Sequence, residues 1–184
     1  RVPAVMTQPQ KAEYLRLPRQ GLGRLATVAR RLVEGVPGEQ DLEKAGRLME
    51  YLSSDQFGYS LDASVSDPEL DPVEDFLFRR KQGHCEYFAS ALALMLRAVN
   101  VPSRLVSGFK GGTHNQISGQ FVVQQRHAHA WVEAWIGSRW VTLDPTPSAR
   151  GDLIRELEME SRFLRDAGQV MHHSWRRHVV ELSL

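Results

Sequence analysis

Apolar residues recur three or four positions apart through most of the first hundred residues, a spacing that places them along one face of a helix. This pattern predicts amphipathic helices at 25–32 and 42–52, and a longer core helix that begins after Gly83 and ends before Asn100. A shorter helix is predicted at 71–81, because Asp, Pro and Glu follow one another at its start in the order of a helix N-terminus.

The pattern changes after residue 102. Four short segments there are rich in β-branched and aromatic residues and are mostly separated by glycine-containing loops, which predicts strands. They are 104–109, 120–124, 130–136 and 139–143. A run of helices followed by a run of strands indicates an α+β fold, in which the helical half packs on a small antiparallel sheet.

The spacing of apolar residues at the two ends of the chain differs from that in its middle. Residues 1–20 are weakly patterned and are interpreted as an N-terminal arm or linker, while 21–150 form the main domain. In 151–184 the apolar residues lie three, four or seven positions apart, which predicts one long helix or two helices broken near Gly168. The chain begins with Arg1 rather than Met, and we expect it to be a piece of a longer protein.

The composition is that of an ordinary globular domain. The 184 residues are 42% hydrophobic and 24% charged, with a formal net charge of +1. This near balance of charge, and the lack of a long Lys/Arg run, argue against nucleic acid as a partner. No segment reaches the roughly 18 consecutive apolar residues that a membrane span needs. A single cysteine cannot form an internal disulfide, so a structural role of that kind is excluded.

That cysteine, Cys85, lies where a turn passes into the predicted core helix. The first turn of a helix presents unpaired N–H groups and the positive end of the helix dipole, and both favour the nucleophilic thiolate. His129 and Asp144 follow in two later segments. Cys, His and Asp in this order indicate an enzyme of thiol acyl transfer, in which the cysteine attacks, the histidine moves a proton and the aspartate orients the imidazole.

A hairpin can bring His129 and Asp144 together. If Gly137-Ser138 is a two-residue turn, Ile136 lies opposite Arg139 and Trp131 lies opposite Asp144. Side chains alternate along a strand, so His129 and Asp144 share one face as diagonal neighbours, about 7 Å or less apart at Cβ. The sequence therefore predicts a carboxylate–imidazole hydrogen bond.

The remaining parts of such a site are less defined by the sequence. The backbone N–H of Cys85 is a natural donor to an oxyanion, and Tyr59 and Gln82 are candidates for the second donor. Trp131 is a candidate wall of the substrate groove, and His127 is interpreted as a rim residue.

Each of these residues also has a simpler explanation. A cysteine at the head of a core helix can be a small buried apolar residue, and the tryptophans can be core residues. His127 and His129 could point to zinc together with His84 or Cys85, but a zinc site needs three or four convergent ligands, and no such set can be assembled. We therefore expect neither a metal nor a cofactor.

Four stretches carry a family resemblance. In them the chain resembles the transglutaminase-like superfamily, whose papain-like fold carries Cys, His and Asp in this order. They are Gly-His-Cys-Glu-Tyr-Phe-Ala-Ser-Ala at 83–91, Leu-Arg-Ala-Val-Asn-Val-Pro-Ser-Arg-Leu-Val-Ser-Gly at 96–108, Ala-His-Ala-Trp-Val-Glu-Ala-Trp at 128–135 and Trp-Val-Thr-Leu-Asp-Pro-Thr at 140–146. The resemblance extends over about 57–148. Asn100 departs from the glycine common in the family, which a left-handed helix cap tolerates.

The resemblance implies roles and a location. By position it makes Cys85 the nucleophile, His129 the base and Asp144 the orienting residue. The segments 57–61 and 71–77 look like the bacterial branch, in which this domain belongs to a multi-spanning inner-membrane protein and faces the periplasm. The chain's two ends would then lead to membrane spans of the parent protein.

Three functions are compatible with these residues. The leading hypothesis is transfer of the acyl group of a protein or peptide glutamine to a primary amine, the reaction of a protein-glutamine γ-glutamyltransferase. A cysteine peptidase or amidase would form the same thioester and let water resolve it. A non-catalytic module would keep the groove for partner recognition, since a fold does not fix a function.

Overall fold

The computed structural model of the chain describes residues 5–18, 21–62, 67 and 69–147. The helical prediction for 151–184 lies outside these residues. The described part divides into two compact units, one that holds residues up to Gly108 together with His129–Pro147, and one that holds Phe109–Ala128. The domain boundaries near residues 20 and 150 stay predictions.

The helices of the first unit include the three that the apolar spacing predicts at 25–32, at 42–52 and after Gly83. Within the described residues they are α1 (Gln8–Tyr14), α2 (Gly23–Leu32), α3 (Asp41–Leu52), α4 (Pro72–Asp75) and α5 (Cys85–Ala98). The predicted helix at 71–81 is split, because α4 continues as a π-helical turn, Phe76–Arg80, that ends at Lys81 in the left-handed conformation (φ 53°). Asn100 adopts the left-handed conformation as expected, with φ 67°.

Helix α5 is the centre of the hydrophobic core. It contacts α2, α3 and α4, and its fully buried residues include Phe88, Leu92, Met95 and Leu96. Burying a side chain of this size contributes roughly 1.5–3 kcal/mol. The burial of these side chains holds α5, and with it the helix N-terminus, in a fixed position.

Two helices, α4 and α2, are capped by acidic side chains, one local and one distant. Asp71 caps α4, since its carboxylate accepts a hydrogen bond of 2.9 Å from the Val73 N–H. Glu74 caps α2 instead of its own helix. Its Oε1 accepts hydrogen bonds of 3.0 Å from the N–H groups of Arg24 and Leu25, about 50 residues earlier. A cap of this kind satisfies backbone donors that the first turn of a helix leaves unpaired.

Three strands form the sheet of the first unit, in the order β3 (Ser103–Phe109), β6 (Ala128–Ile136) and β7 (Arg139–Leu143). On β6, alternate residues enter the core: Ala130, Val132, Ala134 and Ile136. The intervening positions Trp131, Glu133 and Trp135 are half-buried on the opposite face. Helices followed by this small sheet give the predicted α+β arrangement.

The β6–β7 hairpin has the predicted register. Ile136 pairs with Arg139, and the antiparallel ladder continues to Val132 opposite Leu143. Both turn residues have positive φ, 55° at Gly137 and 64° at Ser138. This is the turn conformation that matches the twist of a two-residue hairpin, so the local sequence fixes the register.

The second unit contains a small hairpin, of which the sequence predicted one strand. Its strands are β4 (Thr113–His114) and β5 (Phe121–Val122), which pair antiparallel. The predicted strand at 120–124 is thus present in shortened form. It belongs to this separate two-stranded ladder, whereas we expected one sheet for all four segments.

A further difference lies in the N-terminal arm. Residues 8–14 form α1, although none of them is buried. A helix without a buried face has no apolar periodicity from which the sequence could predict it. A capping box between Thr7 and Gln10 begins it. The ring of Tyr14 packs edge-on against Trp140 of β7, with centroids 4.9 Å apart. The helix is thereby tied to the outer face of the sheet.

Candidate active site

Cys85 is the first residue of α5, as the sequence predicts. The residue before it, His84, has an extended backbone, and its side chain makes no capping hydrogen bond to the helix. As the first residue of this 14-residue helix, the cysteine lies at the positive end of the helix dipole. The residue is 8% exposed and belongs to the hydrophobic core. The thiol therefore lies at the edge of the core, at a helix end that favours a negative charge.

Aromatic packing supports the start of α5. The ring of Tyr87 lies against Phe76, with centroids 5.7 Å apart, and against His84, with centroids 4.9 Å apart. Gly83 lies directly beneath this ring, and a Cβ added there would come within 2.9 Å of a Tyr87 ring carbon. A glycine is therefore required for the close approach of the chain to the ring, two residues before the nucleophile.

The predicted contact between His129 and Asp144 is confirmed. His129 Nε2 and Asp144 Oδ2 are 2.7 Å apart. The side chain of His129 is 1% exposed and that of Asp144 is 22% exposed. The second carboxylate oxygen, Oδ1, accepts a hydrogen bond of 3.2 Å from the Thr146 N–H. With both oxygens engaged, the carboxylate cannot rotate away, and it holds the imidazole in one orientation.

Trp131 lies next to the histidine on the same strand face. The rings of His129 and Trp131 have centroids 6.2 Å apart. The indole also covers Gly108 of β3, where an added Cβ would meet a Trp131 ring atom at 2.9 Å. The tryptophan is half-buried, so it is positioned by packing and still presents a surface beside the imidazole.

The two candidate oxyanion donors lie on one short parallel ladder. It is formed by β1 (Gly58–Tyr59) and β2 (Gln82–Gly83), in which Tyr59 pairs with Gly83 and Gly58 pairs with Gln82. The Ser60 N–H donates to the Gly83 carbonyl at 3.0 Å. This ladder was not predicted, and it joins Tyr59 to the turn that precedes Cys85. Which of Tyr59 and Gln82 serves as donor stays a prediction.

His127 is not a rim residue, contrary to the sequence interpretation. It is 1% exposed, and it ends a 3-10 turn, Gln125–His127, in the second unit. Its Nδ1 accepts a hydrogen bond of 3.0 Å from the Gln124 N–H. The imidazole thus satisfies a backbone group within the loop. A His-x-His pattern gives no sign of this role, because the partner is a backbone amide.

The alternative of a zinc site at His127 and His129 has no support from the described residues. Within the part of the chain that the structure describes, no group of three or more His, Cys, Asp or Glu residues could hold a metal ion. Cys85, His129 and Asp144 all belong to the first unit. Their residue types suit proton transfer and nucleophilic attack, which need no metal.

The position of Cys85 predicts its reactivity. We expect iodoacetamide to alkylate Cys85 in the folded protein at pH values below about 8.5, the ordinary pKa of a free thiol, because the helix N-terminus stabilises the thiolate. The check is the alkylation rate as a function of pH, followed by mass spectrometry of the intact protein. Titration at the ordinary value, or reaction only after unfolding, would contradict a catalytic cysteine.

The sequence of the chain is similar to those of known proteins. The sequence profile of the Transglutaminase-like superfamily matches residues 26–145. A protein-glutamine gamma-glutamyltransferase of Pseudomonas aeruginosa is 34% identical over 159 residues, which are 83% of this chain and 23% of that protein. The chain therefore spans about a quarter of the length of this relative.

Two solved structures share the fold. The periplasmic domain of TgpA from Pseudomonas aeruginosa has a TM-score of 0.70 and 30% identity, over 83% of this chain and 51% of that one. A putative cysteine protease from Cytophaga hutchinsonii has a TM-score of 0.52 and 22% identity, over 79% of this chain and 45% of that one. The predicted papain-like, transglutaminase-core fold is confirmed. From its sequence, its fold and the matched residues, the chain belongs to the transglutaminase-like superfamily.

Proposed function

We propose that this chain is the catalytic part of a thiol acyltransferase that moves the acyl group of a protein glutamine to a primary amine. The hydrogen bond between His129 Nε2 and Asp144 Oδ2 carries the proposal. It orients an imidazole in the same compact unit as a cysteine at a helix N-terminus. Orienting carboxylate, base and nucleophile are the three parts that covalent acyl transfer requires.

In the first half-reaction the Cys85 thiolate attacks the carbon of the glutamine carboxamide. Since Nε2 of His129 is bonded to Asp144, Nδ1 is the nitrogen that exchanges a proton with the thiol. The imidazolium then gives that proton to the leaving nitrogen, the C–N bond breaks, and ammonia departs. The product is a thioester between the substrate acyl group and Cys85.

The tetrahedral intermediate carries a negative charge on the former carbonyl oxygen. The Cys85 N–H, at the start of α5, is the first donor to this oxyanion. The β1–β2 ladder pairs Tyr59 with Gly83 in the segment just before the nucleophile, and Gln82 lies in that segment. We propose that Tyr59 or Gln82 supplies the second donor. Removing one such donor typically lowers turnover by about 10²–10³.

In the second half-reaction an amine attacks the thioester carbon. His129 takes a proton from the amine, the C–S bond breaks, and the thiolate of Cys85 is restored. Water competes for the same carbon and would make the enzyme an amidase or a peptidase. The Trp131 ring beside His129 limits access of bulk water, which favours the amine.

The decisive experiment separates amine from water. The chain is incubated with a glutamine-containing protein such as casein and a labelled primary amine, and the substrate is analysed by mass spectrometry. We expect amine at glutamine, release of ammonia and intact peptide bonds. New peptide termini that depend on Cys85, with no amine adduct, would instead assign a peptidase. An unchanged substrate would favour the non-catalytic binding module.

The setting of the reaction belongs to the same proposal. The similarity to the periplasmic domain of TgpA supports a periplasmic location for this chain, with proteins or peptides as substrates. In the described residues no helix has the length and apolar character to cross a membrane. Attachment to the inner membrane would come from other segments of a parent protein.

A further inference from the structure

A cavity lies on the first unit, and none of its lining residues takes part in the site described above. It has a volume of about 780 Å³, within the range typical of small-molecule sites. Three segments line it: residues 13–14 and 16–18 at the end of α1 and just after it, Arg97 near the end of α5, and residues 104–105 at the start of β3. The family resemblance assigns no role to it.

Arg97 is a half-buried cation in the cavity wall without a carboxylate partner in the described residues. Its Nε and Nη2 donate to the Ser103 carbonyl at 3.2 and 3.0 Å, and its Nη1 donates to the Arg16 carbonyl at 3.0 Å. Burial lowers the pKa of Arg97. A guanidinium has five N–H groups, so these three bonds leave two of them for a ligand.

The other charges of the wall leave an excess of one positive charge. Arg104 is balanced, because its Nε and Nη2 donate to Glu133 Oε2 at 2.8 and 2.6 Å. The hydrogen bond to Glu133 raises the pKa of Arg104. Glu13 also lines the cavity and contributes one carboxylate. The Arg16 side chain is exposed and has no hydrogen bond or ion pair with the described residues. The wall and the partner of Arg104 together hold three guanidinium groups, Arg16, Arg97 and Arg104, and two carboxylates, Glu13 and Glu133.

The position of Arg104 is fixed by its neighbours. Its guanidinium lies over the Trp140 ring, 4.2 Å from the centroid, and the Tyr14 ring packs edge-on against the same indole. This stack closes one side of the cavity with groups that already have partners. A ligand anion is therefore directed to the two other arginines, Arg16 and Arg97.

The wall also has an apolar part. Leu105 is 47% exposed although it is a large aliphatic residue, and Leu17 lines the same space. A strongly hydrated inorganic anion would leave both leucines in water. A ligand with an anionic end and a short apolar chain matches both parts, because burial of apolar surface adds to the ionic contact.

We propose that this cavity binds an aliphatic carboxylate, with its carboxylate group at Arg16 and Arg97 and its apolar chain on Leu17 and Leu105. Two sources share this chemistry: a free small carboxylic acid, and the C-terminus of a peptide whose last residue is apolar. The site is separate from Cys85 and its partners, so the inference does not depend on the acyltransferase reaction.

The test is a titration followed by NMR of the leucine methyl groups, with hexanoate, acetate, hexanamide and acetyl-Ala-Leu as probes. We expect saturable shifts of the Leu17 and Leu105 methyl signals with hexanoate, and binding at least about tenfold weaker for hexanamide, which has the shape without the charge. Acetate should bind more weakly than hexanoate. Acetyl-Ala-Leu that binds more tightly than hexanoate would identify the peptide source, and the reverse order would identify the free acid.

A pair of variants gives the control. Arg16→Gln removes an exposed cation of the cavity, and we expect it to weaken hexanoate binding by about tenfold or more. Arg31→Gln removes an exposed cation from α2, away from the cavity, and should leave binding unchanged. Equal weakening by both variants, equal binding of hexanamide and hexanoate, or the absence of methyl shifts at tens of millimolar probe would overturn the proposal.

Discussion

Replacing Cys85 with alanine is expected to lower amine incorporation by about 10⁴-fold or more. The alanine has no nucleophile with which to form the thioester, and loss of the nucleophile of a triad typically costs about as much as loss of all three members. The measurement is the initial rate of labelled-amine incorporation into casein, compared with that of the unmodified chain at equal concentration.

The same variant tests the simpler explanation that Cys85 is a small core residue. Since the side chain is 8% exposed within the core, its truncation should reduce the free energy of unfolding by about 1 kcal/mol. Catalysis predicts a loss of turnover far larger than this modest loss of stability can explain. A variant that retains its turnover would refute the nucleophile assignment, whatever its stability.

Replacing Asp144 with asparagine is expected to lower turnover by about 10³- to 10⁴-fold while the fold is kept. The carboxylate accepts a hydrogen bond from His129 Nε2–H, which leaves Nδ1 unprotonated and able to take the thiol proton. An asparagine amide can donate to Nε2 instead, and the proton then moves to Nδ1. The imidazole is held in the wrong tautomer for a base.

A matched control is Asp55→Asn, which makes the same chemical change at an exposed turn residue. We expect this variant to keep the turnover of the parent chain. Thermal unfolding of both variants, measured by circular dichroism, shows whether the fold is intact. Parental turnover in a folded Asp144→Asn variant would contradict the orienting role, even though the hydrogen bond itself is present in the structure.

The local sequence determined the parts of the protein that depend on near neighbours. Apolar spacing located α2, α3 and α5, and the Gly137-Ser138 turn fixed the β6–β7 register. That register alone led to the His129–Asp144 hydrogen bond, 15 residues apart. These features were predictable because helix periodicity, strand alternation and turn geometry act over a few residues.

The tertiary structure decided the contacts between segments distant in sequence. Glu74 caps α2 from about 50 residues away, the β1–β2 ladder joins Tyr59 to Gly83, and α1 is held by Tyr14 against Trp140. Each depends on how whole elements pack, which no short window of sequence contains. Packing also decides burial, so a polar residue such as His127, interpreted as a rim residue, lies inside when a backbone N–H satisfies it.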